Sequence, residues 1–203
     1  MYDVIVVGTR AAGATAAMLL AQAGLKVLAV DRASFPSDTL STNNIQLPGV
    51  ARLERWGLLG QIAAAGTPAI RRVRFDPGPV VLEGSYPQHE GVDAVYGPRR
   101  TLLDTLLVEA ARAAGAEVRE RFVVDELTFA DGAVTGIRGR ARSGGELRER
   151  ARLVVGADGN TRSSPRASRP GRTRSSGRSR SATTATGRAS RSTAARSTGA
   201  AGG

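Results

Sequence analysis

Apolar positions along residues 1–159 fall into two spacings, and the changes between them mark the elements. Asp3–Val7 (DVIVV) is a near-continuous apolar run, the pattern of a strand buried on both faces. Gly8–Gly13 reads as a turn, and Ala14–Ala23 as a helix that Gly24 stops. Lys26–Val30 is a second buried strand ending at Asp31, so the chain opens with a βαβ unit. Arg32–Gln46 is polar and predicts a loop, with short helices after it to about Ala65.

Ala69–Phe75 and Val80–Gly84 predict strands of a smaller sheet, separated by Pro77-Gly78-Pro79. Thr101–Ala114 sets Leu102, Leu103, Leu106, Leu107 and Ala110 at helical spacing before Gly115. Glu117–Arg119 begins a return strand. Val123–Phe129 and Val134–Arg140 flank Asp131-Gly132 and predict a hairpin, which a third strand near Glu146–Arg150 completes as a meander. Leu153–Ala157 (LVVGA) predicts a further buried strand running into Asp158-Gly159.

The pattern ends there. Residues 160–203 contain no Val, Ile, Leu, Met, Phe, Tyr or Trp. Such a segment buries too little apolar area to offset a chain entropy of about 1–2 kcal/mol per residue, and disorder is expected. The organisation predicted is an α/β domain over 1–159 and an Arg/Ser/Ala/Thr/Gly-rich tail over 160–203. Charge follows the same division. The formal net charge is +11, yet the tail holds ten Arg and no acid, leaving 19 basic and 18 acidic residues before it. A nucleic-acid partner is therefore not expected, except nonspecifically through the tail.

Composition removes several chemistries. There is no cysteine, which excludes disulfides, Cys-ligated zinc, iron–sulfur clusters and a thiolate nucleophile. His89 is the single histidine and reads as an exposed loop residue, so no multi-His metal site is expected. No apolar run approaches the roughly 20 residues that cross a bilayer, and no signal peptide is evident, so a cytoplasmic location is expected.

The chemistry that remains lies in V-G-T-R-A-A-G, Val7–Gly13, between strand and helix. Backbone N–H groups converge at a helix N-terminus and favour phosphate. Gly8 allows the sharp turn, and Gly13 allows close packing of helix on sheet. Asp31 stands 23 residues after Gly8, where a carboxylate accepts ribose hydroxyls and disfavours a 2′-phosphate. Arg10 occupies a position where glycine is expected. It fits if its side chain points outward, and its charge favours phosphate. Trp56 reads as helix-face core.

These residues carry a resemblance. DVIVVG-x-R-x-AG, VDR at 30–32, PSDTLST at 36–42, GPRRTLLD at 97–104 and LVVGADG at 153–159 resemble class A flavin-dependent monooxygenases. That group, of the para-hydroxybenzoate hydroxylase type, shades into geranylgeranyl reductase-like oxidoreductases. The resemblance implies an FAD-binding Rossmann-like, three-layer α/β domain of the glutathione-reductase-like kind, with a β-meander, truncated to its N-terminal part. It implies that Gly8, Ala12 and Gly13 line the FAD pyrophosphate and that Asp31, with Arg32 beside it, holds the adenosine ribose. Arg100 would meet the phosphate and ribityl stretch, Val124 the adenine, and Asp158 the cofactor from the second motif. Ser41 and Thr42 would lie near the isoalloxazine ring. NAD(P)H would be the reductant, and dioxygen would hydroxylate or epoxidise a small organic substrate. Reduction of an isoprenoid-like lipid is the nearest variant. The residues nominate no catalytic acid or base and no metal ligand.

The family continues its Asp-Gly motif as D-G-x-x-S-x-x-R, but Arg162 and Pro165 stand at the Ser and Arg positions. The tail is accordingly read as an out-of-frame product of a longer coding sequence, and weak FAD affinity without turnover is expected. The alternative is a dinucleotide-binding module whose polybasic tail binds RNA or another polyanion, with no catalysis.

Overall fold

A computed structural model describes residues 1–41, 44–142 and 144–159 of the chain. The tail predicted over 160–203, and Thr42, lie outside the described residues.

β1 (Tyr2–Val7), α1 (Ala11–Gln22) and β2 (Val27–Val30) form the opening βαβ unit, with β1 and β2 parallel. Alternation along the strands creates two cores. Val4, Val6, Val27 and Ala29 face α1 with Ala17 and Met18, while Ile5, Leu28 and Val30 face the opposite side. α1 begins three residues before the predicted start. Arg10 is extended and ends the turn at once, so Gly13 lies inside the helix.

α2 (Leu47–Arg55) and α3 (Leu59–Ala64) follow the polar loop. Next come β3 (Ala69–Ile70), β4 (Arg72–Phe75), β5 (Leu82–Ser85) and β6 (Val95–Tyr96). The predicted small sheet is divided in two: β3 pairs with β6, and β4 with β5. Ala69 packs on the core around Val50, Leu53, Ile62 and Tyr96, which captures β3. Every residue of β4 and β5 is exposed. α4 (Arg100–Ala113) packs beside α1 and buries Leu103, Leu107, Val108 and Ala111. Trp56 packs against two of the cores as predicted.

β7 (Glu117–Arg119) pairs parallel with β2 at one edge of the sheet. β8 (Phe122–Ala130) and β9 (Ala133–Ala141) form the predicted hairpin. β10 (Glu146–Gly156) corrects the prediction of two separate strands. Residues 146–150 pair antiparallel with β9, and residues 151–156 continue parallel beside β1. No Gly, Pro or turn residue interrupts R-A-R at 150–152, and Ala151 is small enough to be buried where the strand crosses over Tyr2. The segment predicted as a buried strand is only partly so: Leu153 is 54% exposed. The sheet order is β7-β2-β1-β10-β9-β8. Helices, parallel sheet and meander make three layers, and Phe122 and Ile137 close the core between the last two. Among the described residues no helix is long and apolar enough to cross a membrane.

Candidate functional site

The parallel strands β1, β2 and β10 end on one cleft of about 510 Å³. Ligands of open α/β sheets bind at this edge, where the strands end and the first helix begins. Gly8 leaves β1 with φ +94°, and a Cβ there would come within 2.7 Å of the backbone of Ala157 and Asp158. The turn after β1 and the turn after β10 therefore touch only because Gly8 has no side chain. Gly13 does a separate job. A Cβ on it would lie 1.7 Å from the Gly8 carbonyl oxygen, so glycine sets the distance between α1 and the end of β1. Gly8 and Ala12 line the cleft; Gly13 stands behind it. No side chain caps α1, which leaves its first-turn N–H groups at the cleft for a ligand.

Asp31 lines the cleft and is nearly buried. Its Oδ2 accepts from the Thr9 backbone N–H at 2.7 Å and the Thr9 hydroxyl at 3.3 Å, while Oδ1 accepts from the Ala33 N–H at 2.8 Å. The carboxylate thus fastens the glycine turn to the end of β2 before any ligand arrives. Each oxygen keeps further lone-pair capacity for a hydroxyl. The Asp31 backbone joins Arg119 and Phe122 by N–H···O bonds of 3.0 and 2.8 Å, which draws Phe122, Val123 and Val124 into the wall. Arg32 and Asp158 line the same cleft.

Arg100 lines it too, held from behind by Asp104, whose side chain is fully buried. Arg100 Nε and one terminal nitrogen donate to Asp104 Oδ1 at 3.0 and 2.9 Å, and that nitrogen also reaches Oδ2 at 3.0 Å. Arg10 joins the same carboxylate, donating to Oδ2 at 2.8 Å. Its other terminal nitrogen donates to Ser37 Oγ at 3.1 Å, and its guanidinium lies 5.7 Å from the centre of the Phe35 ring. Arg10 therefore turns across the cleft wall toward α4, where an outward side chain was expected. A second link ties the same loop to α4. Arg99 donates to Asp38 at 2.7 Å, and this, followed by the Thr39 N–H, holds the Asp38 carboxyl below the usual carboxylate range.

The structure brings Gly8, Ala12, Asp31, Arg32, Arg100, Val124 and Asp158 to one cleft. Ser41 is exposed and lies outside its lining, and Thr42 is outside the described residues. His89 sits in a short turn bridged to Val92, away from the cleft. Thr9 and Asp104 were missed as site-building residues, and for Arg10 the sequence did not give its partner on α4. Asp104 carried a signal. An acid one turn after Arg100, on the face that carries Leu103, Leu107 and Val108, must be buried and so must find a cation.

A family model described as "FAD binding domain" matches residues 1–193. The chain is 32% identical over 158 residues to a digeranylgeranylglycerophospholipid reductase of Methanocella arvoryzae, covering 78% of this chain and 39% of the relative. It is 32% identical over 172 residues to the probable electron transfer flavoprotein-quinone oxidoreductase YdiS of Escherichia coli, covering 78% and 36%. Among solved structures, the myxobacterial chondrochloren halogenase CndH superposes with a TM-score of 0.71 at 28% identity, covering 80% of this chain and 38% of that one. A geranylgeranyl bacteriochlorophyll reductase-like protein of Thermoplasma acidophilum gives 0.65 at 25% identity, covering 78% and 39%. The chain thus spans less than two fifths of the length of each.

Proposed function

We propose that this chain, which belongs to the FAD binding domain family, holds the adenosine and pyrophosphate of FAD in the cleft where β1, β2 and β10 end. The observation that carries the reading is a convergence. A glycine turn that admits no Cβ, an uncapped helix N-terminus, an acid at the end of β2 and the arginines at 10 and 100 meet at one cleft. We assign this work to residues 1–159.

The residues suit the group. The first-turn N–H groups of α1 and the Gly8 turn receive the pyrophosphate, with Ala12 beside it. Asp31 accepts the ribose hydroxyls, Arg32 flanks them, and the acid turns away a 2′-phosphate. Arg100 meets the phosphate and ribityl stretch, a backbone group of Val124 meets adenine, and Asp158 approaches from the end of β10. Once bound, the flavin supplies the redox chemistry, and the protein binds and orients it.

The reaction class we propose is NAD(P)H-dependent oxidoreduction of a small organic substrate, with hydroxylation or epoxidation as the outcome. Reduction of an isoprenoid-like lipid is the nearest variant. Relatives named as a reductase, a quinone oxidoreductase and a halogenase support flavin chemistry on organic molecules. For the 203-residue polypeptide taken alone the expectation is weak FAD binding and no turnover, since what its cleft offers is contacts for the adenosine and pyrophosphate portion of the cofactor.

Titration with FAD, followed by quenching of flavin fluorescence, tests the reading. Asp31→Ala should weaken binding by about tenfold or more, the cost of losing hydrogen bonds to a charged acceptor. Asp31→Asn, which keeps an acceptor for the Thr9 N–H, separates loss of the ribose from loss of the turn. Unchanged affinity in both variants would remove Asp31 from the ribose. NADH and NADPH oxidation measured in the same samples should stay at background.

A further inference from the structure

Arg10 stands where the dinucleotide turn is expected to carry glycine, and the structure gives this replacement a definite geometry. Its backbone is extended, with φ −77° and ψ −165°, so the arginine distorts nothing in the turn. Three neighbours fix the side chain. Asp104 accepts one terminal nitrogen at 2.8 Å, Ser37 accepts the other at 3.1 Å, and the Phe35 ring lies 5.7 Å from the guanidinium carbon. The side chain is 31% exposed and lines the cleft. Asp104 is fully buried and shares its two oxygens between Arg10 and Arg100. One buried negative charge thus faces two guanidinium groups at the cleft wall. Each guanidinium carries five N–H donors, more than these partners use.

We propose that Arg10 binds the pyrophosphate of the cofactor through its side chain, and that Asp104 is a positioning residue that presents Arg10 and Arg100 together. This rests on the reading that the cleft takes FAD. A turn built from glycine offers phosphate only backbone N–H groups and the helix dipole. Here a prepaid ion pair adds a directed charge-assisted donor. Because Phe35, Ser37 and Asp104 already hold the guanidinium, little side-chain freedom remains to be lost on binding. Asp104 also keeps the two like-charged groups together in the absence of an anion. The arrangement makes affinity depend on the charge of the ligand, and so on ionic strength.

The test uses the intact 203-residue chain, with FAD and ADP as probes. Arg10→Gln and Arg10→Gly should each lower the affinity for both ligands about tenfold or more. They should also flatten the dependence of affinity on salt, and lower the melting temperature of the unliganded protein less than Asp104→Ala does, because Arg100 still pairs with the buried carboxylate. Asp104→Asn should lower affinity as well, but by a smaller factor in the Arg10→Gln background than alone. A merely structural role for Asp104 would give the same factor in both backgrounds and would overturn its assignment. If Arg10→Gly binds FAD as tightly as the unsubstituted chain, or more tightly, Arg10 is not a phosphate ligand, while the cleft still takes FAD. If the unsubstituted chain binds neither FAD nor ADP, the reading of the cleft fails and the role of Arg10 falls with it.

Discussion

Asp31 in the cleft lining and Asp104 behind it do different work because different groups face them. Asp31 meets backbone N–H groups and the Thr9 hydroxyl, so it fastens a turn and keeps lone-pair capacity toward the cleft. Asp104 meets two arginines and no solvent. A carboxylate taken out of water in this way is stable only while its cations stay. Removing it leaves Arg10 and Arg100 side by side without their shared anion. Asp104→Ala should therefore destabilise the unliganded chain by about 3 kcal/mol, the low end for breaking a buried pair, because both arginines keep a route to water. Urea denaturation measures this, and a loss within the range of an ordinary surface substitution would show that the pair is dispensable. The glycine turn and Asp31 were readable in the sequence, since each is demanded by local backbone geometry. The Arg10–Asp104 pair is 94 residues apart, and only the packing of α1 on α4 brings it together. Ser41 is the reverse case. Its loop has no periodic pattern to place it, and the side chain lies outside the cleft lining.

At the scale of elements, a polar bridge joins the layers. The Tyr2 hydroxyl on β1 donates to Glu117 on β7 at 2.6 Å, and Arg119 donates to Glu117, to the Tyr2 oxygen and to Glu149 on β10. Burial, followed by the bond to Glu117, pushes the Tyr2 phenol from its usual 10.0 up to about 12. The fold therefore holds this proton more tightly than the unfolded chain does. The resulting stability is complete below pH 10 and is lost as pH rises through about 12. Tyr2→Phe should flatten that alkaline loss, as read from denaturation midpoints between those limits. The Tyr2 hydroxyl, the leading influence, holds Glu117 below the usual carboxylate range, so its contribution is lost at the acid end as pH falls. Hairpin, helices and opening βαβ unit were all legible, because each has a period and a stop. The length of β10 was not. The pattern changes from alternating to continuous near Arg150, which suggested two strands. One backbone simply passes from an antiparallel partner to a parallel one.

Over the whole molecule, polar and apolar surface are unevenly placed. The β4–β5 ribbon sets Arg72, Arg74, Glu83 and Ser85 on one face and Val73, Phe75, Gly84 and Leu82 on the other. Phe75 and Leu82 are 61% and 59% exposed. A two-stranded ribbon with an open apolar face is marginal alone, and its apolar face favours association. The chain should self-associate with rising concentration. Phe75→Ser with Leu82→Ser should reduce this in sedimentation velocity and leave FAD affinity unchanged, for neither residue lines the cleft. Equal association in the double variant would place the contact elsewhere. The continuous β10 also determines where the chain tolerates a change of length. An extra residue at Asp131-Gly132 alters only the turn between β8 and β9. A single deletion within 151–156 withdraws Asp158 from Gly8 by about 3.3 Å, one strand step, and reverses the faces presented by Val154 and Val155. Grafts, tags and natural insertions are thus admissible on one half of this strand's surroundings and disabling on the other.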